Sequence, residues 1–157
     1  MKSLTPDRIA DILAQRSPQL DAIFGAGQYR IEETGNDTAT VRWTKFELKF
    51  EFDRYRMRDV GAYITLRDVP DELRMQMPVD IWIRFLGEQA PQLAKDRRGI
   101  ISVTPDEQIE TELRWIELLS REVFASREKT RDAAYFVKGY HIAYNDWATR
   151  GGSWIED

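Results

Sequence analysis

The segment from residue 46 to residue 52, FELKFEF, alternates strictly between apolar and charged side chains. Successive side chains of a β-strand point to opposite faces, so this pattern predicts a strand with one face in a core and the other in water. The inward side chains would be Phe46, Leu48, Phe50 and Phe52. A chain with such a strand needs further strands beside it and apolar elements over its inward face.

Three neighbouring segments fit the remaining strands of a sheet. Residues 28–33 and 38–45 are separated by the turn composition TGND, which predicts a hairpin. In residues 60–66, VGAYITL, the alternation puts Val60, Ala62, Ile64 and Leu66 inward and Gly61, Tyr63 and Thr65 outward. The sequence therefore predicts a four-stranded antiparallel meander sheet with one apolar and one charged face.

Helix signals precede the strands. Thr5 followed by Pro6 is typical of a helix start, because threonine caps the first N–H groups and proline fits the first helical position. Pro18 predicts a break or a restart of this helix. Gly25 and Gly27 predict its end.

Helix signals also follow the strands. Residues 102–124 show an apolar stripe at helical spacing, formed by Ile109, Leu113, Ile116, Leu119 and Val123. A last helix is predicted over about residues 129–149, whereas residues 79–87 fit either a helix or a short buried strand. We expect a single α+β domain over residues 1–157, with the N-terminal helix and two or three C-terminal helices packed on one face of the sheet.

Composition excludes several kinds of site. The chain has 157 residues, no cysteine, one histidine and a net charge of −4. Disulfides, thiol nucleophiles and zinc–thiolate sites are thereby excluded, and a mildly acidic chain has no global attraction to nucleic acid or an anionic membrane. The sequence has no apolar run long enough to span a bilayer and no nucleotide-binding glycine motif. We expect a cytoplasmic protein without a cofactor.

The only histidine lies in residues 136–147, FVKGYHIAYNDW. On a helix, Phe136, Tyr140, Tyr144 and Trp147 share a stripe that Ala133 and Val137 extend, and His141 lies at its edge. One interpretation is an amphipathic helix that buries these aromatic side chains against the sheet. The other is a ligand pocket formed by Tyr140, His141, Tyr144 and Trp147. A metal ion is not expected, because one histidine and no cysteine leave only carboxylates to complete a ligand set.

Gly139 interrupts the same helix. A glycine in a helix interior costs about 1 kcal/mol relative to alanine. Close approach of another backbone would explain its presence, and the alternative is that the position is neutral.

A second candidate site is Glu47-x-Lys49, whose side chains point to the same face of the predicted strand, with Asp37 upstream. This arrangement resembles the core of the PD-(D/E)xK nuclease family. The resemblance implies that Asp37 and Glu47 hold Mg²⁺ and that Lys49 stabilises the attacked phosphate. The other interpretation is a solvated strand next to an ordinary turn, which requires no metal. We adopt that interpretation and predict no metal site.

The third candidate is a basic cluster. Arg54, Arg56 and Arg58 lie within five residues, with Tyr55 between them, and Tyr63 follows on the outward face of the next strand. Arginine and tyrosine are enriched at the energetic centres of protein interfaces, so these five residues are candidates for partner binding. The alternative is a solvated turn whose charges are balanced by flanking aspartates.

The absence of a catalytic motif favours a binding protein. We expect a domain that binds another protein, in the manner of inhibitor or immunity proteins that neutralise a toxin or enzyme. Two alternatives stay open: a small-ligand-binding domain with an aromatic pocket between sheet and helices, and a metal-dependent enzyme of nuclease type that uses Asp37, Glu47 and Lys49. Formation of a homo-oligomer is also open.

Overall fold

The strand predicted over residues 46–52 is the middle strand of an antiparallel sheet. The computed structural model describes residues 9–35, 37–52, 60–87 and 105–149, with side chains described at 9–35, 37–52, 60–87 and 106–142. The strands are β1 (Arg30–Gly35), β2 (Thr38–Arg42), β3 (Phe46–Phe52), β4 (Val60–Leu66) and β5 (Met77–Pro78). They lie in chain order, and each pairs antiparallel with the next.

The prediction of four strands is wrong, because the described residues form five. The additional strand, β5, has two residues and pairs with β4 through Ile64 opposite Met77 and Tyr63 opposite Pro78. Two residues are too few to show an alternating pattern. Proline is tolerated at the edge of a sheet, which is where β5 lies.

Burial confirms the predicted faces of the two central strands. The side chains of Phe46, Leu48 and Phe50 have no solvent exposure, and Phe52 is half-buried at the end of the strand. In β4, burial alternates with the same period from Val60 to Leu66. Because the residues between them are partly or fully exposed, the sheet has one core face and one polar face.

The predicted N-terminal helix is two helices. The described part of helix α1 is Ile9–Gln15, and helix α2 is Ser17–Phe24, with the proline in its first turn. This confirms the restart at Pro18. Gly25 and Gly27 follow with φ angles of 92° and 75°, which favour glycine and end the helix. The predicted cap at Thr5 lies outside the described residues.

The segment with two interpretations contains helix α3 (Val79–Arg84). Four of its six side chains, Val79, Ile81, Trp82 and Ile83, are buried. A helix that is buried on most sides does not show a clear helical period, so the pattern alone resembled a buried strand.

Helix α4 (Pro105–Glu122) follows its predicted stripe. The five stripe residues all have zero exposure: Ile109, Leu113, Ile116, Leu119 and Val123. Helix α4 contacts β4, α2 and α3, whereas α1 contacts β1, β2 and β3. These helices share one apolar cluster with the inward face of the sheet.

The last helix, α5 (Arg127–Thr149), follows its predicted face only in part. Its buried side chains are Ala133, Ala134 and Val137, all with zero exposure, whereas Phe136 is 41% exposed. Small residues let this helix approach α3 and the 3₁₀ turn at Asp71–Leu73. Tyr140 packs half-buried beside this contact, and the ring of Phe136 lies 5.7 Å from the ring of Phe85, just after α3. Within the described residues, no helix is both long and apolar enough to cross a membrane.

Candidate functional site

Of the five partner-binding candidates, only Tyr63 lies within the described residues. Arg54, Tyr55, Arg56 and Arg58 lie outside the described residues. Tyr63 lies half-buried on the polar face of the sheet, as expected from the alternation. Its ring covers Gly61: a Cβ atom at Gly61 would lie 2.9 Å from the phenol oxygen and 3.1 Å from a ring carbon of Tyr63. The glycine therefore lets this ring lie flat along its own strand.

The polar face is held by ion pairs across strands β1, β2 and β3. The guanidinium of Arg42 donates to Glu32 at 2.6 Å and to Glu47 at 2.5 Å. The hydrogen bond from Arg42 lowers the pKa of Glu32, and the same hydrogen bond raises the pKa of Arg42. The carboxylate of Glu47 is therefore paired with Arg42 and helps to hold strands β2 and β3 together.

The nuclease-like triad is not brought together. The backbone carbonyl of Asp37 accepts a hydrogen bond from the N–H of Phe52, at one end of the β2–β3 ladder, while Glu47 lies opposite Arg42 at the other end. Five strand residues separate those rungs, which corresponds to roughly 16 Å. That distance is too long for both carboxylates to bind one ion. Within the described residues no cluster of histidine and carboxylate side chains could hold a metal.

The ligand-pocket candidates lie on α5. Tyr140 is half-buried, with the guanidinium carbon of Arg84 5.5 Å from its ring centroid, a cation–π contact between α3 and α5. His141 is half-buried at the boundary of the helix, as its position beside the stripe predicted. The side chains of Tyr144 and Trp147 lie outside the described part. The described members of this set therefore form an edge of the α3–α5 contact.

A cleft that the sequence did not indicate lies at the end of the sheet near the start of α5. It has a volume of about 780 Å³ and is half-open to solvent. Its walls come from the β2–β3 turn, the segment after β4, the 3₁₀ turn and the first turns of α5. Its apolar lining is formed by Leu66, Val69, Pro70, Leu73, Phe124, Ala125 and Tyr135. Residues from four separate segments meet here, so no local pattern could reveal the cleft.

The wall at the β2–β3 turn is fixed by contacts with the segment between α4 and α5 and with the segment after β4. The ammonium group of Lys45 donates to the backbone carbonyl of Phe124 at 2.7 Å and lies 5.3 Å from the ring centroid of Trp43. Arg67 adds two bonds, from its backbone N–H to the carbonyl of Lys45 at 3.1 Å and from its guanidinium to the carbonyl of Trp43 at 3.2 Å. The cleft is thus a preformed feature of the fold.

The rim of the cleft carries charges of both signs. Arg127 and Arg131 lie one turn apart at the start of α5, and Asp68 and Glu128 complete the rim. In the described part of the chain none of these four side chains forms an ion pair or a hydrogen bond. An apolar floor with a polar rim is the usual anatomy of a protein interface.

The outer face of α5 continues from this rim. Tyr135, which lines the cleft, is 44% exposed, and Ile142, two turns further on the same side, is 56% exposed. Between them lies Gly139, where an added Cβ would meet no atom within 4 Å. Counting about 100° per residue places these three residues opposite the buried alanines, which is a signal that could have identified them from the sequence.

Comparison of this chain with models of known families, with curated proteins and with solved structures yields no match.

Proposed function

We propose that this chain is a protein-binding domain that receives a segment of its partner in the cleft at the start of α5. The observation that supports the proposal most is the combination of a preformed apolar floor with four rim charges that have no partner in the described part of the chain. A partner segment with apolar side chains at its centre and polar residues of both charges at its ends would complement such a surface.

The proposal extends to the kind of protein. The small, acidic, cysteine-free composition is shared by inhibitor and immunity proteins, which neutralise a toxin or an enzyme by covering its site. A cytoplasmic location belongs to the same proposal, because a chain without cysteine suits a reducing compartment. The polar face of the sheet, which includes Tyr63, is the alternative to the cleft as the surface that binds such a partner.

Crosslinking within producing cells tests the proposal. A photoreactive phenylalanine at Asp68, on the rim of the cleft, is expected to capture one partner protein, and the same group at Tyr63, on the polar sheet face, is the control position. Capture from Tyr63 and not from Asp68 would move the binding surface to the sheet and refute the cleft.

A blocked cleft provides the second arm of this test. Ala125 lines the cleft and is exposed, so Ala125→Arg fills it without disturbing the core. The captured partner, once purified, is expected to bind the Ala125→Arg variant at least about tenfold more weakly, which corresponds to roughly 1.4 kcal/mol. Ala22→Arg, on the exposed side of α2, is the matched control and should leave the affinity unchanged.

A small-ligand function is the second candidate, and the volume of the cleft favours it. About 780 Å³ lies within the range of roughly 300–1,000 Å³ that small-molecule sites occupy. Native mass spectrometry of the freshly purified protein distinguishes the two functions. A bound small molecule that is lost in Ala125→Arg and kept in Ala22→Arg would favour the ligand function over protein binding.

A further inference from the structure

A second, polar pocket adjoins the cleft at the end of strand β4. It has a volume of about 560 Å³ and shares three lining residues with the cleft, namely Thr44, Leu66 and Asp68. The rest of its lining is polar and consists of Glu47, Thr65, Arg67 and Arg74. Because Glu47 and Thr65 lie opposite each other on the polar face of the sheet, this pocket leads from the cleft toward that face.

Arg67 supplies the polar pocket with a cation that is already held in place. Its guanidinium donates to the backbone carbonyl of Trp43 at 3.2 Å, and its backbone N–H donates to the carbonyl of Lys45 at 3.1 Å. No carboxylate of the described residues pairs with it. A guanidinium has five N–H donors in a planar fork that fits a carboxylate, so Arg67 has donors left for an acidic ligand.

The other charges of the polar pocket differ in how firmly they are paired. The carboxylate of Glu47 accepts a hydrogen bond from Arg42 at 2.5 Å, which neutralises it. Arg74 lies 3.3 Å from a carboxylate oxygen of Asp71, but the side chain of Asp71 is 95% exposed. An ion pair so open to solvent contributes little, and Arg74 can therefore turn to a carboxylate that a ligand brings into the pocket.

The charge balance of the two pockets is opposite to that of the whole chain. Five cationic side chains line them, Lys45, Arg67, Arg74, Arg127 and Arg131, against the three acidic side chains Glu47, Asp68 and Glu128. The chain itself has a net charge of −4. A local excess of positive charge in an acidic protein attracts an acidic ligand and disfavours a basic one.

We infer that the partner segment received by the cleft is acidic at one end, and that this end enters the polar pocket, where a carboxylate pairs with Arg67 and Arg74. The inference rests on the proposed function, because the apolar part of the same segment fills the cleft. Since the two pockets share lining residues, the acidic residue lies only a few positions from the apolar one. The apolar residue supplies burial, and the charge pair sets the direction in which the segment lies.

Peptides selected from a random displayed library against the wild-type protein test the inference, provided that Ala125→Arg abolishes their binding. They are expected to carry aspartate or glutamate a few positions from an apolar residue. Arg67→Glu should weaken their binding about tenfold or more, as for a close charge pair. Replacing the acidic residue of the peptide with lysine should restore binding to Arg67→Glu. Arg30→Glu, at a 73% exposed position on the opposite edge strand β1, is the matched control and should leave the affinity unchanged.

The contrary results separate this inference from the proposed function. Peptides that lose binding to Ala125→Arg but contain no acidic residue, or that bind Arg67→Glu as well as the wild type, overturn the acidic end and leave the cleft as the binding site. A loss in Arg67→Glu that the lysine peptide does not restore overturns the charge pair. A selection that yields no peptide sensitive to Ala125→Arg overturns the proposed function, and the inference with it.

Discussion

The side-chain oxygen Oε1 of Gln108 accepts a hydrogen bond from the backbone N–H of Val60 at 2.5 Å. Both residues are buried, with exposures of 1% and 4%, respectively. Val60 is the first residue of β4, so this bond attaches helix α4 to the start of the fourth strand. The buried glutamine in this helix is explained by that backbone group, which has to be satisfied inside the core.

Removing this side-chain acceptor should therefore destabilise the fold. We expect Gln108→Leu to lower the free energy of unfolding by about 1–3 kcal/mol, because a buried N–H group loses its partner. Denaturant titration measures the change. Glu117→Leu, at an exposed position of the same helix, should change the value by no more than about 0.5 kcal/mol. Equal effects of the two substitutions would show that the bond contributes nothing.

The strict alternation of β3 predicts a larger effect in the centre of the sheet. Phe50 has zero exposure, so Phe50→Ala should cost about 3–5 kcal/mol through lost burial and the cavity it leaves. Glu51→Ala, the next residue on the exposed face, is the matched control. A loss for Phe50→Ala as small as that of the control, in the same titration, would contradict the assigned register.

The parts of the fold that the sequence predicted are those where burial is one-sided. The alternation in β3 and β4 and the stripe of α4 each have one apolar face, and the structure buries those faces. Prediction was wrong where tertiary contacts overrode the local pattern. The two-residue strand β5 exists through its pairing with β4. Helix α5 buries the predicted stripe positions Ala133 and Val137, but Phe136 of the same stripe stays 41% exposed, because small residues allow closer helix packing.

The candidate site was less accessible to sequence reasoning than the fold. The cleft combines the β2–β3 turn with residues near the start of α5, about eighty positions later, as the bond between Lys45 and Phe124 illustrates. No repeating sequence pattern indicates that segments so far apart in the chain meet in the structure. The exposed positions of Tyr135 and Ile142 were missed for a different reason. The prediction for this helix considered only its buried aromatic stripe and not the opposite face.

Two glycines with equal space around them should respond in opposite ways to alanine. An added Cβ meets nothing within 4 Å at either Gly139 or Gly27, but Gly27 has a φ angle of 75°, which disfavours alanine. At protein concentrations low enough to exclude self-association, Gly139→Ala should raise the free energy of unfolding by about 0.5–1 kcal/mol, whereas Gly27→Ala should lower it. A loss of stability in Gly139→Ala would mean that the chain itself needs this glycine.

Alkaline pH should weaken the contact between α2 and the segment before β1. The phenol of Tyr29 donates to a carboxylate oxygen of Asp21 at 2.7 Å, and burial together with this bond raises the pKa of Tyr29 from 10.0 to about 12. A raised pKa favours the protonated phenol in the folded state. The resulting stability is therefore fully present below pH 10 and is lost as the pH rises toward 12.

The Tyr29→Phe variant isolates this pH dependence. Its free energy of unfolding should fall less steeply above pH 10 than that of the wild type, as followed by denaturant titration at stepped pH. Tyr135→Phe is the control, because the phenol of Tyr135 is exposed and makes no hydrogen bond in the described part of the chain. Parallel pH curves for wild type and Tyr29→Phe would show that the Asp21 contact does not perturb this tyrosine.

The central claim is that the cleft at the start of α5 binds a protein segment, and chemical-shift mapping with a selected peptide tests it most directly. Peptides would be selected from a random displayed library against the wild-type protein, with Ala125→Arg as the counter-selection. The account predicts that a selected peptide shifts the amide signals of Lys45, Asp68 and Arg131, which line the cleft, and that Ala22→Arg retains the binding. Shifts confined to the polar sheet face around Lys49 and Tyr63, or selection that yields only peptides insensitive to Ala125→Arg, would contradict it.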